Sequence, residues 1–289
     1  MFVHGDNLAQ KECDTRKYND AISRQYLAEI REKYDAWKSA NESLVGPWKA
    51  PSADDERIIA SRVELLNAYK DFIDQQKYAE HFDSRSNLHS SVLEEFMYYL
   101  FRDLTKEFSS DALIGKSHAF KDLFFRSSSY PEMLTSPCAF LESKDHDFVI
   151  GASIDARFQC KGADNVESAC FEIPAVAIEC KTYLDKTMLE GASNAGAQLK
   201  DRNPNAVYIV VAERLKLTEA VNLRKYKVDQ IYILRKQKNT DREFRYDSNY
   251  VANPIYHDVV FHLFRYVRSF LMADWRGSVA DGIQRGYLI

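Results

Sequence analysis

The sequence predicts an α/β protein with a central mixed β-sheet flanked by helices and with a helical N-terminal portion. Three observations predict this fold class. Apolar residues recur at helical spacing through roughly the first 125 residues. From residue 138 onward the pattern changes to short apolar runs rich in Val, Ile and Tyr, separated by turn residues. One helical segment lies between two of these runs with a short loop on each side, which is typical of a right-handed crossover between parallel strands.

The helices and strands follow from the spacing of apolar residues along the chain. The predicted helices cover residues 18–43, 54–78, 88–108, 185–200 and 255–273, and the predicted strands cover residues 148–154, 171–180, 206–212 and 230–235. Pro47 and Pro51 separate the first two helices. The third helix carries an apolar stripe about 100° wide, which is the signature of a helix packed on a core. Residues 162–165 form a plausible turn between the first two strands.

The composition is that of a chain that can bury a substantial core. It has 289 residues, 45% of them hydrophobic, and a net charge of −4. This charge neither indicates nor excludes nucleic acid, because binding needs only a local basic surface. Five cysteines without a Cys-x-x-Cys pair disfavour disulfides and a zinc site. The N-terminus lacks a secretion pattern and no run of about 18 apolar residues occurs, so we expect a cytoplasmic protein without membrane contact.

The most informative motif is Glu179-Cys180-Lys181, at the end of the apolar run that begins at Pro174. Side chains alternate between the two faces of a strand, so Glu179 and Lys181 share one face and Cys180 lies on the other. Only alanines lead up to the charged pair on its face, which leaves room for a metal ion and a phosphate group. A Glu-x-Lys pair on a strand is usually a solvated face, but the otherwise apolar run favours a functional pair.

Asp147, directly before the strand predicted at residues 148–154, is the candidate partner of Glu179. Two carboxylates from neighbouring strands can hold Mg²⁺, which prefers oxygen ligands. The backbone carbonyl of Cys180 is a further candidate ligand. The metal would polarise a phosphoryl oxygen, while Lys181 would orient or deprotonate the attacking water and offset phosphate charge. Hydrolysis of a phosphodiester is the expected chemistry.

An aspartate followed by a strand with Glu-x-Lys, a helix and another strand resembles the PD-(D/E)XK nuclease superfamily. The resemblance covers roughly residues 87–213, and residues 178–188 and 206–213 are similar to type II restriction endonucleases of the DdeI and BbvCI kind. It implies a restriction-endonuclease-like fold, with a helical region at residues 1–85 and a nuclease domain at residues 86–289. It also implies Mg²⁺-dependent, sequence-specific cleavage of double-stranded DNA in a restriction-modification system. Some members have two subunits that each cut one strand, which implies a second nuclease subunit, identical or different.

Both carboxylate assignments have competitors. The family often has a glutamate on a helix near the metal, and Glu94 or Glu95 of the third predicted helix offers it. Glu94 flanks the apolar stripe and Glu95 points away from it, so the helical wheel favours Glu94. For each glutamate alone, the wet side of a helix is the simpler interpretation. Asp155 and Asp164 compete with Asp147, because the stretch before Glu-x-Lys is long enough to hold a hairpin.

Basic residues that would contact DNA cluster after residue 185. The candidates are Lys186, Arg224, Lys225, Lys227, Arg235, Lys236, Lys238 and Arg242. Such side chains neutralise backbone phosphates or reach guanine edges. The stretch at residues 236–242 is equally consistent with a charged hairpin tip. His146, next to Asp147, is more simply a histidine of a surface loop than a metal ligand or a base.

Two other functions stay open at this point. A non-catalytic DNA-binding or assembly subunit would keep the fold and leave cleavage to a partner, although the intact Glu179 and Lys181 pair argues against it. A nuclease-fold repair enzyme would use the same chemistry outside restriction. A methyltransferase encoded beside the chain would distinguish restriction from repair.

Overall fold

The computed structural model describes residues 2–82, 87–239, 246–275, 283–284 and 286. Its longer helices are α1 (Val3–Cys13), α2 (Ala21–Ser43), α3 (Asp55–Ile73), α4 (Gln76–His81), α5 (Ser91–Lys106), α6 (Tyr130–Thr135), α7 (Lys186–Arg202) and α8 (His257–Met272). Its strands are β1 (Leu113–Phe125), β2 (Ala139–Gln159), β3 (Val166–Leu184), β4 (Val207–Leu215) and β5 (Gln230–Ile233). Within this described part, no helix is both long and apolar enough to cross a membrane.

The five strands form one mixed sheet in the order β1-β2-β3-β4-β5. Strands β1, β2 and β3 are antiparallel neighbours, whereas β3, β4 and β5 run parallel. Helix α7 makes the crossover from β3 to β4, as the sequence predicted. Strand β1 also pairs with β3 at Ala119 and Glu172, so the three long strands close on one another. A mixed sheet with flanking and N-terminal helices confirms the predicted fold class.

Helices cover both faces of the sheet. On one face, α5 and α8 cover the sheet and share a core with residues such as Ile178 and Cys180 of β3 and Val211 of β4, and α2 and α3 complete that core. On the other face, α7 packs against residues that include Ala177 and Tyr208. Alternate residues of β3 therefore enter opposite layers, as expected for a strand buried on both sides. This alternation directs Glu179 and Lys181 to the face of α7 and Cys180 to the opposite core.

One apolar core joins the N-terminal helices to the rest of the molecule. It includes Leu8 of α1, and the rings of Phe101 on α5 and Phe264 on α8 stack in it with centroids 5.8 Å apart. A buried ion pair, with 2.6 Å between Asp55 Oδ2 and Arg268 Nη1, links α3 to α8. The helices within residues 2–82, part of the helical region predicted at residues 1–85, are thus packed into the same core as the sheet.

Several elements differ from the sequence prediction. Helix α1 precedes the first predicted helix, and β1 is a strand in a region that was expected to be helical. The helix predicted at residues 54–78 is divided into α3 and α4. Strands β2 and β3 span 21 and 19 residues and continue beyond the core as a long hairpin. This hairpin contains many polar residues, so its strands do not show as apolar runs in the sequence. The turn at Gly162 lies where it was predicted.

Candidate active site

Asp147, Glu179 and Lys181 meet on one face of the sheet. The antiparallel register of β2 and β3 sets Asp147 across from Glu179. The Lys181 ammonium lies between both carboxylates, 2.7 Å from Glu179 Oε1 and 3.2 Å from Asp147 Oδ2. The backbone N–H of Cys180 donates a hydrogen bond to Asp147 Oδ2 over 2.9 Å. The three side chains are 22–27% exposed, so a substrate can reach a site whose residues are already held in place.

A bulge in the β2–β3 ladder fixes the register at this site. The pairing shifts between Ile150 and Gly151. A Cβ atom on Gly151 would lie 2.1 Å from the carbonyl oxygen of Ile173, so the close approach of the two strands requires glycine here. Bulges bend a strand and re-aim its side chains. This one lies between the active-site end of β2 and the long hairpin.

Tyr208 of β4 belongs to the site and was not singled out from the sequence. Its hydroxyl donates to Glu179 Oε2 over 3.1 Å. Burial, together with the negative charge of Glu179, raises the pKa of Tyr208, so the phenol keeps the proton that it donates. The parallel pairing of Glu179 with Val210 puts Tyr208 on the face of the carboxylates. The sequence offered one indication of this role: Tyr208 carries a hydroxyl group within an otherwise apolar predicted strand.

Glu95, the second glutamate of the α5 pair, is held by hydrogen bonds from the N-terminal helices. It is fully buried, which contradicts the expectation that it points away from the core. Its carboxylate accepts hydrogen bonds from the backbone N–H groups of His4 and Gly5 and from the hydroxyls of Tyr34 and Tyr99. Helices α1 and α2 cover the side of α5 on which Glu95 lies. The side that the helical wheel predicted to face solvent is therefore a second packing face.

Glu94 lies next to the candidate site and is also buried, at 8% exposure. Its Oε2 atom has no hydrogen-bond partner among the described residues, and the Lys116 ammonium is 3.7 Å away. Burial and the negative charge of Asp147 raise the pKa of Glu94 to about 7. Burial and the charge of Glu179 likewise raise the pKa of Asp147. Three carboxylates are therefore crowded into one partly buried region, where a cation would relieve their repulsion.

The donors present fit a hard divalent cation. Asp147 and Glu179 offer carboxylate oxygens, as Mg²⁺ prefers, and Glu94 offers an oxygen without a hydrogen bond. The thiol of Cys180 is buried on the opposite face, so this residue has only its backbone carbonyl to offer. No three His, Cys, Asp or Glu side chains of the described residues converge as a complete metal site. The Lys181 ammonium takes the position between the carboxylates, and although burial opposes its charge, the carboxylates raise its pKa above the usual value.

Comparison with known proteins assigns the chain to a family. The family model described as Bpu10I restriction endonuclease matches residues 85–288. The chain belongs to the Bpu10I restriction endonuclease family. It is accordingly a type II site-specific deoxyribonuclease, a nuclease of a restriction system. No curated protein matches the chain.

A solved structure has the same fold as this Bpu10I-family chain. It is described as the native BbvCI A2B2 tetramer at low resolution, and the two align with a TM-score of 0.67 at 18% sequence identity. The alignment covers 94% of this chain and 97% of that chain. The likeness therefore extends to the N-terminal helices, which lie outside the match to the family model.

The competing residues lie away from the candidate site of this Bpu10I-family chain. Asp155 pairs with Cys170 on the long hairpin, and at about 3.3 Å per residue it is roughly 26 Å along β2 from Asp147. Asp164 lies in the exposed turn of that hairpin. His146 is 3% exposed and packs on the ring of Tyr208 at 5.7 Å, so the prediction of a surface loop was wrong. It is buried because β2 begins well before Asp147.

Most of the basic candidates for DNA contact are exposed in this chain. They are Lys186, Arg224, Lys225, Lys227, Lys236 and Lys238. Three of them already have acidic partners: the ammonium of Lys236 is 2.6 Å from Asp258, that of Lys238 is 3.0 Å from Glu219 and that of Lys186 is 3.8 Å from Glu190. Arg242 lies outside the described residues.

Arg235 differs from the other basic candidates because it is 1% exposed. Its guanidinium donates to Glu213 Oε2 over 2.9 Å and to the carbonyl of Asn253 over 2.8 Å. The prediction of an exposed phosphate contact is therefore wrong for this residue. The buried carboxylate of Glu213 on the neighbouring strand draws the side chain inward.

Proposed function

We propose that this protein is a Mg²⁺-dependent, sequence-specific endonuclease that hydrolyses phosphodiester bonds of double-stranded DNA in the cytoplasm, as part of a restriction-modification system. The observation that carries the proposal is the contact of the Lys181 ammonium with the carboxylates of both Asp147 and Glu179. An aspartate and a Glu-x-Lys pair on adjacent strands form the PD-(D/E)XK arrangement. Family membership gives the reaction class, and these residues are the groups that we assign to it.

Each residue of the site has an assigned part in the hydrolysis. A water molecule loses a proton as its oxygen forms a bond to phosphorus, the bond from phosphorus to the leaving oxygen breaks, and the leaving oxygen takes up a proton. The Lys181 ammonium donates a hydrogen bond to the water or to a phosphate oxygen and offsets the developing negative charge. Asp147, Glu179 and the backbone carbonyl of Cys180 would hold Mg²⁺, which when bound supplies Lewis-acid polarisation of the phosphate. Tyr208 keeps Glu179 in one orientation.

Glu94 is assigned a supporting place at the edge of the site. Its buried Oε2 atom, which has no hydrogen-bond partner among the described residues, would accept a hydrogen bond from a water molecule of a bound Mg²⁺, since Mg²⁺ usually keeps several waters. Lys186 begins α7, five residues after Lys181, and is a candidate phosphate contact. Arg224, Lys225 and Lys227 extend the exposed basic surface, and they would give DNA binding the salt dependence that phosphate contacts cause.

A second nuclease subunit is part of the proposal. One set of Asp147, Glu179 and Lys181 hydrolyses one strand, so cutting both strands of a duplex takes two sites. The solved structure with the same fold is described as an A2B2 assembly, which supports two kinds of subunit here as well. The alternative is a non-catalytic subunit that binds DNA and leaves cleavage to its partner. The complete set of candidate catalytic side chains favours a cutting subunit.

Digestion of supercoiled, unmethylated plasmid in Mg²⁺ tests this proposal. The chain is incubated with the plasmid alone and together with the protein encoded beside it, with EDTA as the metal-free control. We expect nicked plasmid from the chain alone and linear plasmid from the pair, with neither product in EDTA. A folded chain that binds the plasmid but yields no product in any combination would contradict the proposal and favour the non-catalytic subunit.

A further inference from the structure

We propose that a cavity beside the active site receives a single amino-bearing nucleobase, rotated out of the DNA duplex; this inference rests on the proposed action on DNA. The cavity has a volume of about 690 Å³. It lies where strands β3 and β4 end, between the end of α3 and the start of α5. None of the groups assigned to hydrolysis lines it. Its walls therefore have no part in the chemistry described so far.

The cavity begins at the residue that follows the catalytic lysine. Thr182 and Tyr183 both line it, and both come directly after Lys181 on β3. At about 3.3 Å per residue, Tyr183 is only about 7 Å along the strand from Lys181. Lys181 faces the layer of α7, whereas α3 and α5 lie on the other face of the sheet. A base attached close to the scissile phosphate would therefore enter the cavity around the ends of β3 and β4.

The charged groups that line the cavity cancel. Two carboxylates, Asp71 and Asp74, stand against two guanidinium groups, Arg214 and Arg235. Asp74 already lies 2.9 Å from His89 Nδ1 and 3.8 Å from Arg235 Nη2, so Asp71 is the carboxylate left for a ligand. A phosphate or a metal ion would meet as much repulsion as attraction between such walls. A neutral ligand with both hydrogen-bond donors and acceptors finds partners on each side, because carboxylates only accept and guanidinium groups only donate.

Several polar atoms on the cavity wall are buried without a hydrogen-bond partner among the described residues. They are Arg214 Nε, Arg235 Nη2, His89 Nε2 and the hydroxyl of Tyr250. Arg214 and Arg235 are only 8% and 1% exposed. Leaving such a group unsatisfied costs about 1–3 kcal/mol, which a ligand that accepts their hydrogen bonds would recover. Arg235 Nη2 still lies 3.8 Å from Asp74 Oδ2, so Arg214 Nε and the Tyr250 hydroxyl are the donors that indicate what the ligand must offer, namely acceptor atoms.

Aromatic side chains complete the cavity. Phe82, Tyr183 and Tyr250 add ring surfaces to its lining. Proteins that take a base out of the duplex hold it by stacking on aromatic rings and by hydrogen bonds to its edge. Unstacking and unpairing cost only a few kcal/mol. A nucleobase is flat and neutral, and guanine, adenine and cytosine each combine an amino donor for the carboxylates with acceptors for the guanidinium groups. Thymine lacks the amino group.

Binding of free deoxynucleosides to the full chain tests the cavity without requiring cleavage. Saturation-transfer NMR measures the affinity for deoxyguanosine, deoxyadenosine, deoxycytidine and thymidine. We expect the three amino-bearing nucleosides to bind more tightly than thymidine. Arg214→Gln should weaken their binding about tenfold, and Tyr250→Phe, which keeps the ring and so guards against misfolding, should weaken it severalfold. Arg57→Gln, an exposed arginine at the far end of α3, should stay within about twofold of the wild type.

Duplexes with 2-aminopurine near the cut position test whether the base comes from DNA. The protein is bound in Ca²⁺, to prevent cleavage, and fluorescence should rise at one labelled position with the wild type but not with Arg214→Gln. Equal nucleoside binding by the wild type and both cavity variants would overturn the proposal. So would unchanged fluorescence at every labelled position in duplexes that the protein binds in Ca²⁺ and cuts in Mg²⁺. Nucleoside binding by a chain that never cuts DNA would instead refute the proposed function.

Discussion

Glu94 and Glu95 show how neighbouring residues of the same type acquire different surroundings. Glu95 accepts three hydrogen bonds from α1 and α2 and one from Tyr99 of α5, whereas one buried oxygen of Glu94 has no hydrogen-bond partner among the described residues. A step of one residue along a helix turns the side chain by about 100°, which carries it from one packing face to another. The helical wheel separated the two residues correctly, but it assigned Glu95 to solvent because the wheel contains no information about α1.

Matched substitutions of these two glutamates should have opposite effects. Glu95→Gln replaces one carboxylate oxygen by an NH₂ group, which would face the N–H or O–H donors that this oxygen now accepts from. We therefore expect the free energy of unfolding to fall by about 2 kcal/mol or more. Cleavage per folded molecule should stay near that of the wild type. Glu94→Gln should change stability by less than about 1 kcal/mol but lower cleavage at least tenfold. Urea unfolding and plasmid cleavage measure both quantities, and the reverse pattern would contradict the two assignments.

His4 should make the stability of the protein depend on pH in the acidic range. The ring is fully buried, with Nδ1 2.9 Å from the Ser91 hydroxyl and Nε2 2.6 Å from the Tyr69 hydroxyl. Burial, aided by the positive charge of Lys70, lowers the pKa of His4 well below its usual value. The folded state therefore excludes a proton that the unfolded state binds below about pH 6.5. Stability from this residue is complete above that pH and is lost as the pH falls below it.

Urea unfolding between pH 7.5 and pH 5 tests this contribution. Below pH 6.5 we expect His4 to lower the free energy of unfolding of the wild type by up to about 1.4 kcal/mol per pH unit. His4→Gln cannot take up the proton, so its stability should fall less steeply over the same range. The difference between the two slopes isolates His4 from the other titrating groups. Parallel slopes would show that His4 does not titrate as its surroundings imply.

Two glycines in different elements provide a test of the β2–β3 bulge. Gly151→Ala would force a Cβ atom to within 2.1 Å of the Ile173 carbonyl oxygen, which can be relieved only by moving backbone. We expect a loss of about 1–3 kcal/mol in the free energy of unfolding and weaker cleavage, because the bulge sets the register of Asp147. Gly191→Ala on α7 meets nothing within 4 Å and should stabilise the helix by about 0.5–1 kcal/mol. Thermal unfolding of both variants and of the wild type measures these changes. A Gly151→Ala variant as stable as the wild type would show that the bulge tolerates a side chain.

The sequence predicted well the elements whose buried residues form a regular pattern along the chain. Strand β4 and the end of β3 are buried on both faces, so continuous apolar runs mark them. Strand β1 was missed because its pattern is only partly buried and is interrupted by Lys116, His118 and Lys121. Its partners are strands far along the chain, and pairing with them, rather than local propensity, makes this segment a strand.

The candidate site was predictable to the extent that it depends on strand alternation. Glu179 and Lys181 share a face whatever the rest of the fold, and Asp147 then needs only an adjacent strand. The hydrogen bond from Tyr208 depends on the register of a parallel ladder, and the burial of Arg235 depends on Glu213 across that ladder. Such contacts between distant residues could not be derived from the spacing of residues in one segment.

Across the whole molecule, the N-terminal helices and the sheet form one packing unit. The same core contains Leu8 of α1 and Val267 of α8, and α1 also supplies hydrogen bonds to Glu95. Helix α5 is fixed by these contacts on one side and presents Glu94 to the candidate active site on the other. The positions of the catalytic candidates therefore depend on residues outside the part of the chain that the family model matches.

We propose that Lys181 and Glu179 belong to the groups that hydrolyse DNA. The most direct test is single-turnover cleavage of a duplex containing the mapped site in Mg²⁺, by the wild type, Lys181→Ala, Glu179→Gln and the exposed-turn control Lys161→Ala. With DNA binding and folding retained, we predict that Lys181→Ala and Glu179→Gln lower the cleavage rate about a hundredfold or more, while Lys161→Ala cuts like the wild type. Folded, DNA-bound Lys181→Ala that cuts within a few-fold of the wild-type rate would contradict the account.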